Sequence, residues 1–558
     1  MSKIKIEDLL VYYGKITQEQ LNMTLKKNEY SRKNIIDLLI EEGYVTDDDV
    51  VEVLEWELGI PSIDLNEQTI DPNIVSMIPE NMARRYEMIP VNKNGKYLYV
   101  AMVDPMDIYA IDDISLYTNC EIKPLITKRN SILHCIDKYY TEKQRKNILD
   151  EITEHLIYTD HKQALDEEVV EVASSPIIRL LDSIIEQAIE MRASDIHIEP
   201  FADKLRVRYR IDGDLREMMT LPKVVHPPLV TRIKIIGQMD IADKRIPQDG
   251  RIENIINEKK IDMRISTVPT IYGEKVVLRL LDRENFLLAK SEIGFTEKNY
   301  ENFNKLIQQP FGMILITGPA GSGKTTTLYS ILKELNKAEK NIITIEDPVE
   351  YKLEGINQIQ INPKAGLTFA SGLRSILRQD PDIIMIGEIR DSETAQIATR
   401  AAVTGHLVLS TLHTKDSPSS ITRLIDMGVE PYLVSAAIVG VISQRLVKKL
   451  CDYCKEPYSA SYSEKILLGL DPEEDVILFK AKGCNRCNNG YYGRIAVHEI
   501  MIINEEIRRI INAERGIDEL RELAIKSGMS TIMDNSVELA LKGISSLDEI
   551  LRICFVLD

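Results

Sequence analysis

The segment Gly318-Pro319-Ala320-Gly321-Ser322-Gly323-Lys324-Thr325 constrains this chain more than any other. Its three glycines let the backbone curl until successive N–H groups face one point, and a helix starting there adds the positive end of its dipole. The flanks agree. Met313–Thr317 is an apolar strand, and Leu328, Ile331, Leu332 and Leu335 recur on one side of a helix. The G-x-x-x-x-G-K-[ST] spacing predicts a strand–loop–helix unit that holds a phosphate. Lys324 supplies a mobile charge for β and γ phosphates, and the Thr325 hydroxyl is placed to ligate Mg²⁺. The contact set expected for the nucleotide is Gly318, Gly321, Ser322, Gly323, Lys324, Thr325 and Thr326.

Such a loop serves kinases, switches and motors alike, so its neighbours decide. Apolar runs at 313–316, 342–345, 383–386 and 407–409 each lead into polar loops and helical stretches. That is the pattern of a parallel sheet with helices on both faces, an α/β core whose ligands sit at the carboxyl ends of strands. The run 383–386 ends in Gly387-Glu388, with glycine where an aspartate is usual, which leaves Glu388 to orient water on Mg²⁺. Another strand ends in Glu346-Asp347-Pro348-Val349-Glu350; Glu350 is the first choice to polarise the attacking water.

At 558 residues the chain exceeds one ordinary domain. Leu9–Thr17 matches Leu38–Thr46 at a constant offset of 29 residues. Each copy reads as a helix ended by glycine, then a threonine opening a second helix, so residues 1–58 form an all-helical repeat module. Residues 59–140 mix short β-rich pieces, such as Tyr97–Val103, with helices in an α+β domain. Residues 141–173 are a polar linker. A third domain spans 174–288, where Leu205–Ile211 alternates strictly as a half-buried strand with its arginines on one face. The nucleotide core covers 289–558.

A formal net charge of −18 disfavours a polyanionic partner, so no nucleic acid is expected. The start lacks the apolar core of a signal peptide, and no run of 18 apolar residues occurs. The chain is expected in the cytosol, reaching a membrane only through a partner. Two C-x₂-C pairs, Cys451/Cys454 and Cys484/Cys487, lie 29 residues apart, a spacing that closes a tetrahedral thiolate cage around Zn²⁺ with no open position. Cys120, Cys135 and Cys554 lack such spacing and read as core residues.

Taken in combination, these motifs resemble the secretion-ATPase superfamily. Glu346–Glu350 resembles its Asp box, Asp380–Asp391 its atypical Walker B segment and Thr404–Thr414 its His box. Ser194–Pro200, Gln248–Arg251 and Arg264–Thr270 are similar to its second N-terminal domain. The resemblance covers residues 60–558 and is closest to type IV pilus assembly and type II secretion ATPases. It implies a RecA-like P-loop core preceded by a PAS-like α+β domain, ATP and Mg²⁺ as cofactors, and a homohexamer working on an inner-membrane platform protein. By motif match, Arg251 and Arg264 act as arginine donors to the phosphates, and His406 and His413 sense the γ phosphate. The helical repeat resembles a cyclic-di-GMP-binding module whose copies begin Arg-Leu-Gly. Here those positions are Lys5-Ile6-Glu7 and Asn34-Ile35-Ile36, which implies the fold without the ligand and favours docking of a partner.

Overall fold

The computed structural model describes residues 6–31, 35–65, 70–133, 135–136, 139–140, 175–256, 259–282, 292–484 and 487–554. The linker expected at 141–173 lies outside the described residues, as does the side chain of Cys554. Two compact units emerge, one of Met1–Ile184 with Pro222–Ile233 and one of Ile185–Leu221 with Lys234–Asp558.

In the first unit the repeat is visible as two equivalent turns. The helix Ile6–Tyr12 closes at Gly14 (φ +70°), where the Lys15 amide donates to Leu10 O; the helix Ile35–Glu41 closes at Gly43 (φ +72°), where the Tyr44 amide donates to Leu39 O. These left-handed positions are open to glycine at little cost. Thr17 and Thr46 then cap the helices Gln18–Ser31 and Asp47–Leu58, each accepting from the amide three residues on while its own amide donates to Gln20 or Asp49. Leu10, Leu39, Val53 and Leu54 are fully buried in the module's core, which also takes in Ile126. Within the span expected as an α+β domain, strands β1 (Met88–Asn94), β2 (Tyr97–Met102) and β3 (Glu121–Ile126) form one sheet, β2 and β3 being parallel, with the helix Ile108–Thr118 between them in sequence. Cys120 and Cys135 are buried there as ordinary core residues.

The second unit carries a two-stranded sheet, β16 (Glu456–Ser459) with β17 (Ile477–Lys480), and two larger ones. The smaller of these two runs β6-β5-β4-β9-β8-β7, with β4 Asp195–Pro200, β5 Lys204–Ile211, β6 Asp214–Pro222, β7 Gln248–Ile256, β8 Lys259–Thr270 and β9 Gly273–Asp282. Along β5 burial alternates residue by residue, as the sequence predicts. The outward arginines find partners within the sheet: Arg206 and Arg208 donate to Glu199, and Arg210 lies 3.6 Å from Asp195. On β7 and β8, Arg251 and Arg264 stand directly opposite each other.

The larger sheet runs β12-β11-β13-β14-β10-β15-β18, with β10 Gly312–Thr317, β11 Ile342–Glu346, β12 Asn357–Gln360, β13 Ile383–Ile386, β14 Leu407–Leu412, β15 Ile438–Leu450 and β18 Tyr491–Ile502. Every pairing from β12 to β15 is parallel, and only β18 runs against its neighbour. All of β10 is buried because both faces are covered. Met313 and Leu315 join a core with Leu373, Ile386 and Val408, while Ile314 and Ile316 join the opposite core with Leu328, Ile331 and Leu332. Since β13 and β14 separate β10 from β11, the carboxyl ends of all four strands gather along one edge.

Candidate active site

At that edge β10 runs into the phosphate loop. Gly318 (φ +150°), Gly321 (φ +75°) and Gly323 (φ +86°) occupy conformations that disfavour side chains. At two of the three, space is short as well: a Cβ on Gly318 would sit 2.4 Å from Gln444 O, and one on Gly323 would sit 2.8 Å from Gln444 Nε2. The helix Lys324–Leu335 follows with no side chain among the described residues capping its start, so its first N–H groups stay available to an anion. Lys324, only 9% exposed, bends back to donate to the carbonyls of Gly318 (2.8 Å) and Pro319 (3.0 Å). Among the described residues the Ser322 hydroxyl is buried without a hydrogen-bond partner, while Thr325 and Thr326 are half-buried on the first turn. An uncapped helix start, an ammonium resting on neutral carbonyls and an orphaned hydroxyl fit a polyphosphate.

Glu388 follows β13. Burial alone would raise its carboxyl, but Arg390 Nη2 donates to it at 2.5 Å and His413 Nε2 lies 3.2 Å away, and the balance holds it below its ordinary value. Ionised Glu388 and the Thr325 hydroxyl offer oxygen donors of the hard kind that Mg²⁺ prefers. The charge of Glu388 also reaches Lys324.

Three carboxylates stand near the end of β11, and the structure separates them. Glu346 is 3% exposed and turned inward, where it accepts hydrogen bonds from Thr344 and Tyr329; burial raises its carboxyl. Asp347 is exposed. Glu350 is half-buried and meets Arg264, whose Nη2 donates to its Oε2 at 2.5 Å. Arg251 binds Asp262 and lies 3.2 Å from Glu253; the charge of Glu350 still reaches it.

The two histidines part company. His413 lies just past β14, beside Glu388. His406 precedes β14, where its carbonyl accepts from the amide of Gly312, the first residue of β10, and its Nδ1 lies 3.0 Å from Ala401 O. The length of β10, about 17 Å at ~3.3 Å per residue, separates it from the phosphate loop. The expectation that His406 senses the γ phosphate is therefore corrected: it belongs to the opposite edge of the sheet.

Motif reading missed the side chains that hold the loops. Gln444 donates to Ser322 O (2.8 Å) and accepts from Thr327 (2.7 Å), bracing the phosphate loop from β15. Arg445 reaches Gln444 O and Lys415 O. Thr317 Oγ1 lies 2.6 Å from Thr414 Oγ1 and accepts from the Thr414 amide, locking the loop after β14 to the end of β10. Their one signal in the sequence is polarity inside apolar runs, as in Ser443-Gln444-Arg445 between Val441-Ile442 and Leu446-Val447.

The four cysteines come together. Sγ–Sγ separations are 3.8 Å for Cys451–Cys484, 3.7 Å for Cys454–Cys487 and 3.6 Å for Cys484–Cys487, and all four sulfurs lie within 4.8 Å of one another. A tetrahedron with metal–sulfur arms of about 2.3 Å has edges of about 3.8 Å, so the cluster is compatible with zinc. The amides of Cys484 and Gly490 donate to Cys487 Sγ, which favours a thiolate there.

With this geometry in hand, likeness to known proteins decides the family. Residues 170–552 match the family described as Type II/IV secretion system protein. The chain belongs to that family. Residues 58–146 match the MshEN domain, so this likeness falls on the α+β domain adjoining the helical repeat. The type IV pilus assembly ATPase PilB of Myxococcus xanthus is 39% identical over 98% of this chain and 98% of its own. Type II secretion system protein E of Xanthomonas campestris is 41% identical over 99% of this chain and 98% of its own. Among solved structures, the DotB ATPase of Yersinia pseudotuberculosis covers 68% of this chain and 94% of its own at a TM-score of 0.53 and 20% identity, a likeness of fold. The protein is an ATPase of the machines that assemble type IV pili or drive type II secretion. Among the described residues no helix is long and apolar enough to cross a membrane.

Burial pushes Lys324 down to about 8; the Glu388 charge resists that fall and the Arg445 charge adds to it. A bound triphosphate favours the ammonium form and raises this value again. Nucleotide binding should therefore take up close to one proton near about pH 9 and almost none near about pH 7, with affinity falling as pH rises past about 8. Calorimetry in buffers of different ionisation heat measures this directly, and equal proton uptake at both pH values contradicts it.

Proposed function

We propose that this chain is the extension motor of a type IV pilus, a homohexamer that hydrolyses ATP at the cytoplasmic face of the membrane and passes the resulting domain movement to a platform protein. The pairing of Arg264 with Glu350 carries the mechanistic part of this reading, because it joins an arginine of β8 to a carboxylate beside the phosphate site. Lys324 and the amides of the loop hold the β and γ phosphates. Thr325 and Glu388 would hold Mg²⁺, which would neutralise charge on the phosphates when bound. When a γ phosphate arrives, Arg264 transfers from Glu350 to the phosphate oxygens, and Glu350 is freed to take a proton from the attacking water. Arg251, held close by Asp262, is the second donor. His413 reports the state of Glu388 to the loop after β14.

Among the two kinds of machine, the reach of the matches favours the pilus. PilB of Myxococcus xanthus and PilB of Acinetobacter baylyi each align with 98% of this chain, its N-terminal region included. The type II proteins of Vibrio cholerae and Pseudomonas aeruginosa align with 68%. The full-length match of the Xanthomonas type II protein supports the second reading, a pseudopilus motor for protein export. The N-terminal repeat fits a docking module for the machine rather than a cyclic-di-GMP receptor, since Lys5-Ile6-Glu7 and Asn34-Ile35-Ile36 replace the arginine and glycine of each copy.

Zinc in the four-cysteine cluster would be structural, four thiolates leaving no position for substrate. Metal analysis of protein purified without chelators should find about one zinc per chain, and Cys487→Ser should remove it; less than half a zinc in the unaltered protein contradicts the assignment. In the native host, a chromosomal Lys324→Ala change should abolish surface pili and leave type II export intact, whereas loss of export with pili retained would transfer this chain to the secretion machine.

A further inference from the structure

We propose that Tyr329 is a positioning residue for ATP hydrolysis, its buried phenol tying the helix that begins at Lys324 to the loop that carries Glu350. The inference rests on Glu350 being the carboxylate that activates water.

Tyr329 lies five residues beyond Lys324, about 7.5 Å along the helix axis at ~1.5 Å per residue. Its ring is fully buried in the core that also holds Leu328, Ile331 and Leu332. The phenol, however, points to polar partners. It donates to Glu346 Oε2 at 2.5 Å and accepts from the amides of Glu350 and Tyr351, both at 3.3 Å. Glu346 in turn is fixed by Thr344 (2.6 Å) and by Gln358 (3.2 Å). Gln358 also grips the loop itself, donating to Tyr351 O (2.8 Å) and accepting from the Leu353 amide (2.7 Å). The loop is thus held from two sides, by the P-loop helix through Tyr329 and by β12 through Gln358.

A core tyrosine with no further task needs one acceptor for its hydroxyl, and phenylalanine replaces it at modest cost. Here the oxygen carries two backbone amides, one of them that of the catalytic carboxylate's own residue. Removing it takes a partner from the buried Glu346 carboxylate and from both amides, and a buried polar group that loses its partner is costly. The consequence for function is directional. Phosphate binding acts on the start of the helix, and any displacement there reaches the Glu350 backbone through one short chain of hydrogen bonds. Positional errors of this size matter to the chemical step and little to nucleotide affinity.

The test uses the full-length protein with Tyr329→Phe. The expected result is a kcat at least tenfold lower, with the Kd of a non-hydrolysable ATP analogue within twofold of the unaltered protein. Amide exchange should rise at Glu350 and Tyr351 and stay unchanged along β11. An unaltered kcat overturns the proposal. Equal losses in kcat and analogue affinity together with a lowered Tm also overturn it, since Tyr329 is then a core residue only. Glu350→Gln, assayed in parallel, keeps the two readings apart. Full turnover in that variant removes Glu350 from the chemistry and this proposal with it, whereas its expected inactivity beside an active Tyr329→Phe sinks the tyrosine alone.

Discussion

A triphosphate can settle on a chain of formal charge −18 only where dipoles and cations are concentrated against that background. The carboxyl edge of the seven-stranded sheet supplies this concentration. Uncapped helix amides, Lys324 and the buried Arg445 converge behind β10, and Arg264 approaches across from β8. Low solvent exposure makes each of these charges act more strongly than it would at the surface, and also makes each one unstable when left without a counter-charge. The molecule meets that cost by local pairing: Lys324 rests on carbonyls, Arg264 on Glu350, and Arg390 with His413 on Glu388. These same pairs are the ones that phosphate must compete with.

Neutral side chains keep the cradle in shape. Gln444 spans the phosphate loop and the helix after it, and the Thr317–Thr414 contact binds the loop bearing His413 to the strand bearing the glycines. Because such bonds are made inside a water-poor core, breaking one leaves unmet donors and acceptors, so the loops move as connected bodies. Movement of one loop is then felt by the others, which is what a motor needs from its nucleotide site.

How far this could be read from residues alone depended on whether the information was local. The parallel core was legible because buried strands such as Ile383–Ile386 and the glycine-rich turn each announce themselves within a few positions. The helical repeat was legible because Gly14 and Gly43 end helices by the same backbone requirement. The cysteine cluster was legible because spacing alone brings the two pairs within reach. What escaped was set by register. His406 and His413 share one motif, yet the strand between them places them at opposite edges of the sheet, since six residues of extended chain occupy its whole length. Glu346 and Glu350 sit in one acidic run, yet the strand ends between them, leaving the first inside the core and the second at the site. Gln444 and Arg445 were invisible because their roles come from pairing β15 beside β10, a contact of high sequence separation.

The central claim is that phosphate displaces pairs already formed. The most direct measurement is a crystal structure with a non-cleavable ATP analogue and Mg²⁺. The account predicts Lys324 Nζ released from the Gly318 and Pro319 carbonyls onto the β and γ phosphates, with Arg264 detached from Glu350. An analogue bound elsewhere, or bound in the loop with both of those contacts intact, would contradict it.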